Sequence, residues 1–112
     1  MKKNKNLYEG MYIISAQLSE GARSKALERI TSSIEKKEGQ LHKVHDLGRK
    51  KLVYEIGHHR DGYYFLVYFD LDTSAMGEII GEYHLNEDLV RFMITKTDSI
   101  RETLEFKKLA KV

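Results

Sequence analysis

The chain has 112 residues, of which 41% are hydrophobic and 32% charged; 19 Lys and Arg against 17 Asp and Glu leave a net charge of +2. That length and mix predict one soluble globular domain with a real core and exclude intrinsic disorder. No apolar run approaches bilayer length, no signal-peptide h-region follows the basic start, and cysteine is absent. Membrane spans, disulfides and thiolate chemistry are therefore not expected, and a cytoplasmic location is.

Proline is also absent, so Gly, Asn, Asp and Ser must end each element. Leu7–Ser15, with Tyr8, Met11, Tyr12, Ile13 and Ile14, is rich in aromatic and β-branched residues and predicts a first strand. Leu18–Ser19 offers an N-cap. Behind it Ala26, Leu27, Ile30 and Ile34 share one helical face, and Gly39 is the expected left-handed C′ residue. This gives a helix of roughly five turns.

Gln40–Ile56 reads as a second strand, with a bulge or bend at Asp46–Leu47–Gly48. Gly57–Gly62 has turn composition, and Tyr63–Leu71 is an almost wholly apolar third strand. Asp72–Thr73–Ser74 caps a second helix with Met76, Ile79, Ile80 and Tyr83 at i, i+3, i+4 and i+7. Asn86–Glu87–Asp88 closes it, and Leu89–Lys96 alternates as a fourth strand. The expected division is a domain over 1–97 and a charged tail over 98–112.

The order β-α-β-β-α-β is the ferredoxin-like, split βαβ arrangement: a four-stranded antiparallel sheet with both helices on one face and the first and third strands central. Tyr8, Tyr12, Ile14, Phe65, Val67, Phe69, Phe92 and Ile94 are assigned to the helix side. Met11, Ile13, Tyr64, Leu66, Tyr68 and Met93 then fall on the open side. An apolar patch of that size rarely stays bare on a monomer, so a docking surface is expected there, unless the tail partly covers an ordinary aromatic-rich sheet.

Basic residues cluster at Lys2, Lys3 and Lys5, at Arg49, Lys50 and Lys51, and at His58, His59 and Arg60; Lys96 closes the fourth strand. Together they can neutralise phosphates. Arg91, amid an apolar strand, needs an anion: a phosphate, or an internal carboxylate such as Glu9. The pI near 8.7 lies below the ~9 usual for a dedicated nucleic-acid binder, so a basic helper is expected if RNA is the ligand.

Catalytic motifs are missing. No G-x-G-x-x-G, P-loop or G-x-S-x-G pattern occurs. His42 and His45, three apart in a strand, are expected on opposite faces and make no metal pair. Neither an enzyme, a cofactor, a metal nor a small-molecule substrate is expected.

The stretch Leu47–Gly48–Arg49–Lys50–Lys51–Leu52–Val53–Tyr54 carries a resemblance, with Tyr8–Glu9, Gly39, Gly62–Tyr63–Tyr64 and Asp88–Leu89–Val90–Arg91–Phe92–Met93 before Lys96. In these features, over Tyr8 to Lys96, the chain resembles the family of the sixth protein of the bacterial small ribosomal subunit. Glu55 departs from the pattern, in which proline is common after the tyrosine. The resemblance implies a structural component of the ribosome. It would bind the central domain of 16S ribosomal RNA jointly with the eighteenth small-subunit protein.

Two rivals remain at the level of sequence. An RRM-like binder of single-stranded RNA is loosely suggested by Arg60–Tyr68, although Tyr64 fills a place where RNP1 wants a small residue. It would require the rings of Tyr63 and Phe65 to be exposed for stacking. A homo-oligomeric ferredoxin-like regulatory domain would use the open face to pair two copies.

Overall fold

A computed structural model describes residues 5–56 and 59–100, giving the backbone alone for 53–56 and 59. Its elements run β1 (Lys5–Ser15), α1 (Glu20–Lys36), β2 (Gln40–Ile56), β3 (His59–Asp72), a single 3-10 turn (Thr73–Ala75), α2 (Met76–His84) and β4 (Leu89–Lys96). The strands form one sheet in the order β2-β3-β1-β4, every neighbouring pair antiparallel. β1 and β3 are central, as the ferredoxin-like expectation requires.

The core forms because alternation along the strands meets the helical stripes. Tyr8, Tyr12, Ile14, Phe65, Val67, Phe69 and Leu71 pack with Ala26, Ile30 and Ile34 of α1 and Ile79 and Tyr83 of α2, while Phe92 and Ile94 line its edge. Both helices therefore cover the same sheet face, and all eight residues assigned to the helix side lie there. Each fully buried isoleucine or phenylalanine contributes on the order of 1.5–3 kcal/mol by leaving water.

Ser19 caps α1 by accepting from the Ala22 amide at 3.2 Å; Asp72, expected to cap the second helix, caps the 3-10 turn before it by accepting from Ser74 at 2.9 Å, and α2 itself has no side-chain cap. The end of α1 corrects the expectation. The left-handed residue is Glu38, with φ 64°, one position before Gly39. The Glu38 and Gly39 amides donate to the carbonyls of Glu35 and Ile34, the paired bonds of a Schellman motif. Gly39 is needed for closeness instead: a Cβ there would stand 2.7 Å from the Asp70 carbonyl oxygen and from Ile34.

β2 carries the expected bulge. Its register slips between Asp46 and Gly48, Gly48 takes φ 81°, and the Gly48 amide donates to Asp46 at 2.9 Å. A second slip separates Leu41 from Lys43. The hairpin is longer than expected, since Arg60, Asp61 and Gly62 belong to β3, with Lys50 opposite Gly62 and Lys51 opposite Asp61. Strand pairing continues there because Gly62 leaves room for the Ile13 Cγ2 methyl beside it.

A candidate docking face on the sheet

Register pairs arrange the face away from the helices into rows running from β2 to β4. One row reads Lys43, Tyr68, Glu9, Thr95; the next His45, Leu66, Met11, Met93; the next Gly48, Tyr64, Ile13, Arg91; and Lys50, Gly62 and Ser15 follow. All six residues assigned to the open side thus lie side by side, with cationic residues at the fringes.

The patch is less bare than its composition suggests. Met93 is 54% exposed, Met11 and Tyr64 are half-buried, and Ile13, Leu66 and Tyr68 are buried. Leu66 and Tyr68 sit on a central strand with a paired strand on either side. The Tyr68 hydroxyl donates to Glu9 Oε2 at 2.6 Å, and the His45 ring meets the Tyr68 ring edge-on at 6.1 Å. Burial raises the Tyr64 hydroxyl pKa above its ordinary value, partly offset by the positive charge of Arg91.

Arg91 is exposed and not half-buried, at the end of the row that holds Tyr64 and Ile13. The internal pair with Glu9 does not form: Glu9 lies opposite Thr95, two rows along the sheet from the Ile13–Arg91 pair, and accepts from Tyr68. The two histidines also depart from expectation. The bulge after Leu41 breaks the alternation, so His42 reaches Asp70 at 2.9 Å while His45 meets Tyr68; Asp70 and Tyr68 belong to the same alternating set of β3. Among the described residues no group of three His, Asp or Glu side chains is placed to hold a metal.

The basic residues do not converge on one patch. Lys5 and Lys96 lie near one end of β1, beside Asp72 and Tyr8 respectively; Lys50, Lys51 and Arg60 lie towards the hairpin, at the other. β1 has 11 residues, so the two groups stand roughly 30 Å apart. Lys5 donates to the Glu38 carbonyl at 3.0 Å, and Arg49 donates to Asp61 through two nitrogens at 3.2 and 2.9 Å. Lys2, Lys3 and His58 lie outside the described residues, as does the side chain of His59.

The stacking rival fails on geometry. Phe65 is buried in the core, and Tyr63 lies on the helix side with the Arg23 guanidinium 3.8 Å above its ring. Neither ring presents a face to a base. Lys43 and His45, with His42 and Asp70, are members of the face that sequence reasoning did not assign to it, and Glu9 was read only as a possible partner of Arg91. The Tyr8–Glu9 pair stood out in the sequence, but β2's slip at Leu41 hid which of its side chains share that face.

Fold and face together define a ferredoxin-like structural protein whose sheet surface away from the helices is apolar at the centre and cationic at the edges. Comparison with known proteins agrees. The chain matches the family model for ribosomal protein S6 over residues 7–96. It is 54% identical to small ribosomal subunit protein bS6 of Protochlamydia amoebophila over 96% of this chain and 95% of that protein, and 52% identical to that of Chlamydia pneumoniae over 96% of each. The crystal structure of 30S ribosomal protein S6 from Thermotoga maritima superimposes with a TM-score of 0.78 at 27% identity, covering 96% of this chain and 94% of that one. The chain belongs to the ribosomal protein S6 family: it is a structural protein of the small ribosomal subunit in the cytoplasm, and not an enzyme.

Proposed function

We propose that the protein binds the central domain of 16S ribosomal RNA jointly with the eighteenth small-subunit protein. The sheet face of Met11, Ile13, Tyr64, Leu66, Tyr68 and Met93 receives the protein partner. The cationic residues at the fringes and ends, Lys5, Arg49, Lys50, Lys51, Arg60, Arg91 and Lys96, meet RNA phosphates, with Lys2, Lys3, His58 and His59 assigned to the same task from sequence alone.

The observation that carries this reading is the open-face rows, an apolar centre bordered by Lys43, His45, Lys50 and Arg91. An ordinary solvated sheet face would alternate to polar residues there. Charge supports a joint mode, because a net +2 spread over two separated groups neutralises few phosphates. RNA duplexes and junctions are read through shape, phosphate and 2′-hydroxyl contacts, so no base-reading motif is required. The tail beyond residue 97 takes no assigned part; the family match ends at residue 96.

The test is co-sedimentation with small subunits after a high-salt wash, for the natural chain and for Met93→Asp. Met93 is exposed, so the substitution leaves folding intact, whereas Leu66→Asp would place a carboxylate in a buried site and test stability instead. The natural chain is expected to stay bound and Met93→Asp to be washed off. Equal retention of both would exclude this face as the interface. A tight dimer of the isolated protein at micromolar concentration would favour the homo-oligomeric rival.

A further inference from the structure

We propose that Glu9 is the specificity-determining residue of the docking face, a carboxylate held in place to receive a cationic side chain, best an arginine guanidinium, from the basic protein partner. This rests on the reading that the face receives such a protein.

Glu9 is half-buried in β1, between Tyr68 of β3 and Thr95 of β4, one row from Met11, Leu66 and Met93. The Tyr68 hydroxyl donates to its Oε2 at 2.6 Å, and Tyr68 itself is fully buried, so the donor is fixed by packing. One hydroxyl leaves most of the acceptor capacity of an ionised carboxylate unused. The neighbouring row is apolar at its centre, and docking there would strip water from Glu9. A desolvated carboxylate is costly unless it gains a charged, hydrogen-bonding partner, and the planar fork of arginine fits it in two parallel bonds.

The same charge decides between classes of partner. A nucleic-acid backbone laid along this row would bring phosphate against Glu9 and be repelled. A basic protein segment is attracted, and like-charge rejection of RNA directs the phosphates to the cationic fringes instead. Glu9 therefore sorts the surface into a protein-facing centre and RNA-facing edges. Tyr68 is a positioning residue that acts through it.

The experiment measures calorimetric affinity of the full chain for purified eighteenth small-subunit protein at several salt concentrations. It compares the natural protein with Glu9→Gln, Tyr68→Phe and Met93→Asp, each first checked for an unchanged melting temperature. Glu9→Gln is expected to weaken binding roughly ten-fold or more and to flatten its salt dependence. Tyr68→Phe should weaken it by a smaller factor and leave the salt dependence in place, since the carboxylate remains. If Met93→Asp abolishes binding while Glu9→Gln changes neither affinity nor salt slope, the role of Glu9 is overturned and the docking face stands. If neither substitution matters, the docking face falls and takes the inference with it. A Glu9→Gln chain that binds 16S RNA more tightly and the protein partner unchanged would also overturn it, because the centre would then face RNA.

Discussion

Tyr12 and Tyr83 tie the sheet to α2 through hydroxyls 3.1 Å apart in a buried site, their rings edge-to-face at 5.3 Å. Burial, reinforced by the neighbouring Tyr83 hydroxyl, holds the Tyr12 pKa well above 10; burial likewise pushes Tyr83 up to about 12, against the lowering effect of its bond to Tyr12. In the unfolded chain both ionise near 10, so above that pH the unfolded state loses protons that the folded state retains. Stability is expected to be flat up to about pH 10 and then to fall towards 12, by up to ~1.4 kcal/mol per pH unit for each tyrosine. Urea unfolding between pH 8 and 11 checks this. Tyr83→Phe should flatten the alkaline limb while costing about 1–3 kcal/mol at neutral pH, because the Tyr12 hydroxyl is left buried without its partner.

Glycines show at the scale of elements how one residue type serves different needs. Gly48 takes φ 81° at the β2 bulge, with open space where a Cβ would go. Gly39 lies against the Asp70 carbonyl, with no room for a side chain. Gly48→Ala is expected to cost about 1–2 kcal/mol, the penalty of the left-handed region. Gly39→Ala should cost at least that, because the end of α1 must move off β3. Denaturant midpoints of the two variants decide the order. Gly48 was legible in the sequence as part of a bulge within β2, whereas Gly39 was legible only as a glycine at the end of α1 and its role was misassigned. The helix end shifted by one residue because the Schellman bonds close on Ile34 and Glu35, leaving Glu38 to take the positive φ. The hairpin was misread for a similar reason. Arg60–Asp61–Gly62 has turn composition, yet pairing with Lys50 and Lys51 carries β3 through it.

At the scale of the whole molecule, Lys37 bridges α1 to α2 through Glu78 at 2.6 Å and Glu82 at 3.6 Å, raising the lysine pKa and lowering that of Glu78. The two glutamates are exposed and Lys37 only half-buried, so the bridge adds little stability, and the shared core holds the layers together. Among the described residues, those packed in that core all lie between Tyr8 and Ile94. A chain ending at Thr97 is therefore expected to keep its near-ultraviolet circular dichroism and to melt within a few degrees of the full chain; a molten, low-melting product would show that the tail belongs to the folded unit.

The sequence by itself determined the element order, the split of β1, β3 and β4 into a helix-facing set and an opposite-facing set, and the family. The order and the split depend on local periodicity: side chains alternate in strands and recur every three to four residues in helices, so the pattern is written in neighbouring positions. The family rests on the resemblance carried by Leu47–Tyr54 and the other matched stretches. Only the tertiary structure decided what the free face contains. Which residues of β2 join β3 depends on three slips in register, and each slip moves every later side chain to the other face. For that reason His45 and Lys43 reached the docking face. Strand pairing decided the rest: β1 against β3 brought Glu9 under the Tyr68 hydroxyl, and β1 against β4 set Arg91 two rows from its expected carboxylate. Those relations join residues up to 59 positions apart, a distance over which no local pattern carries information.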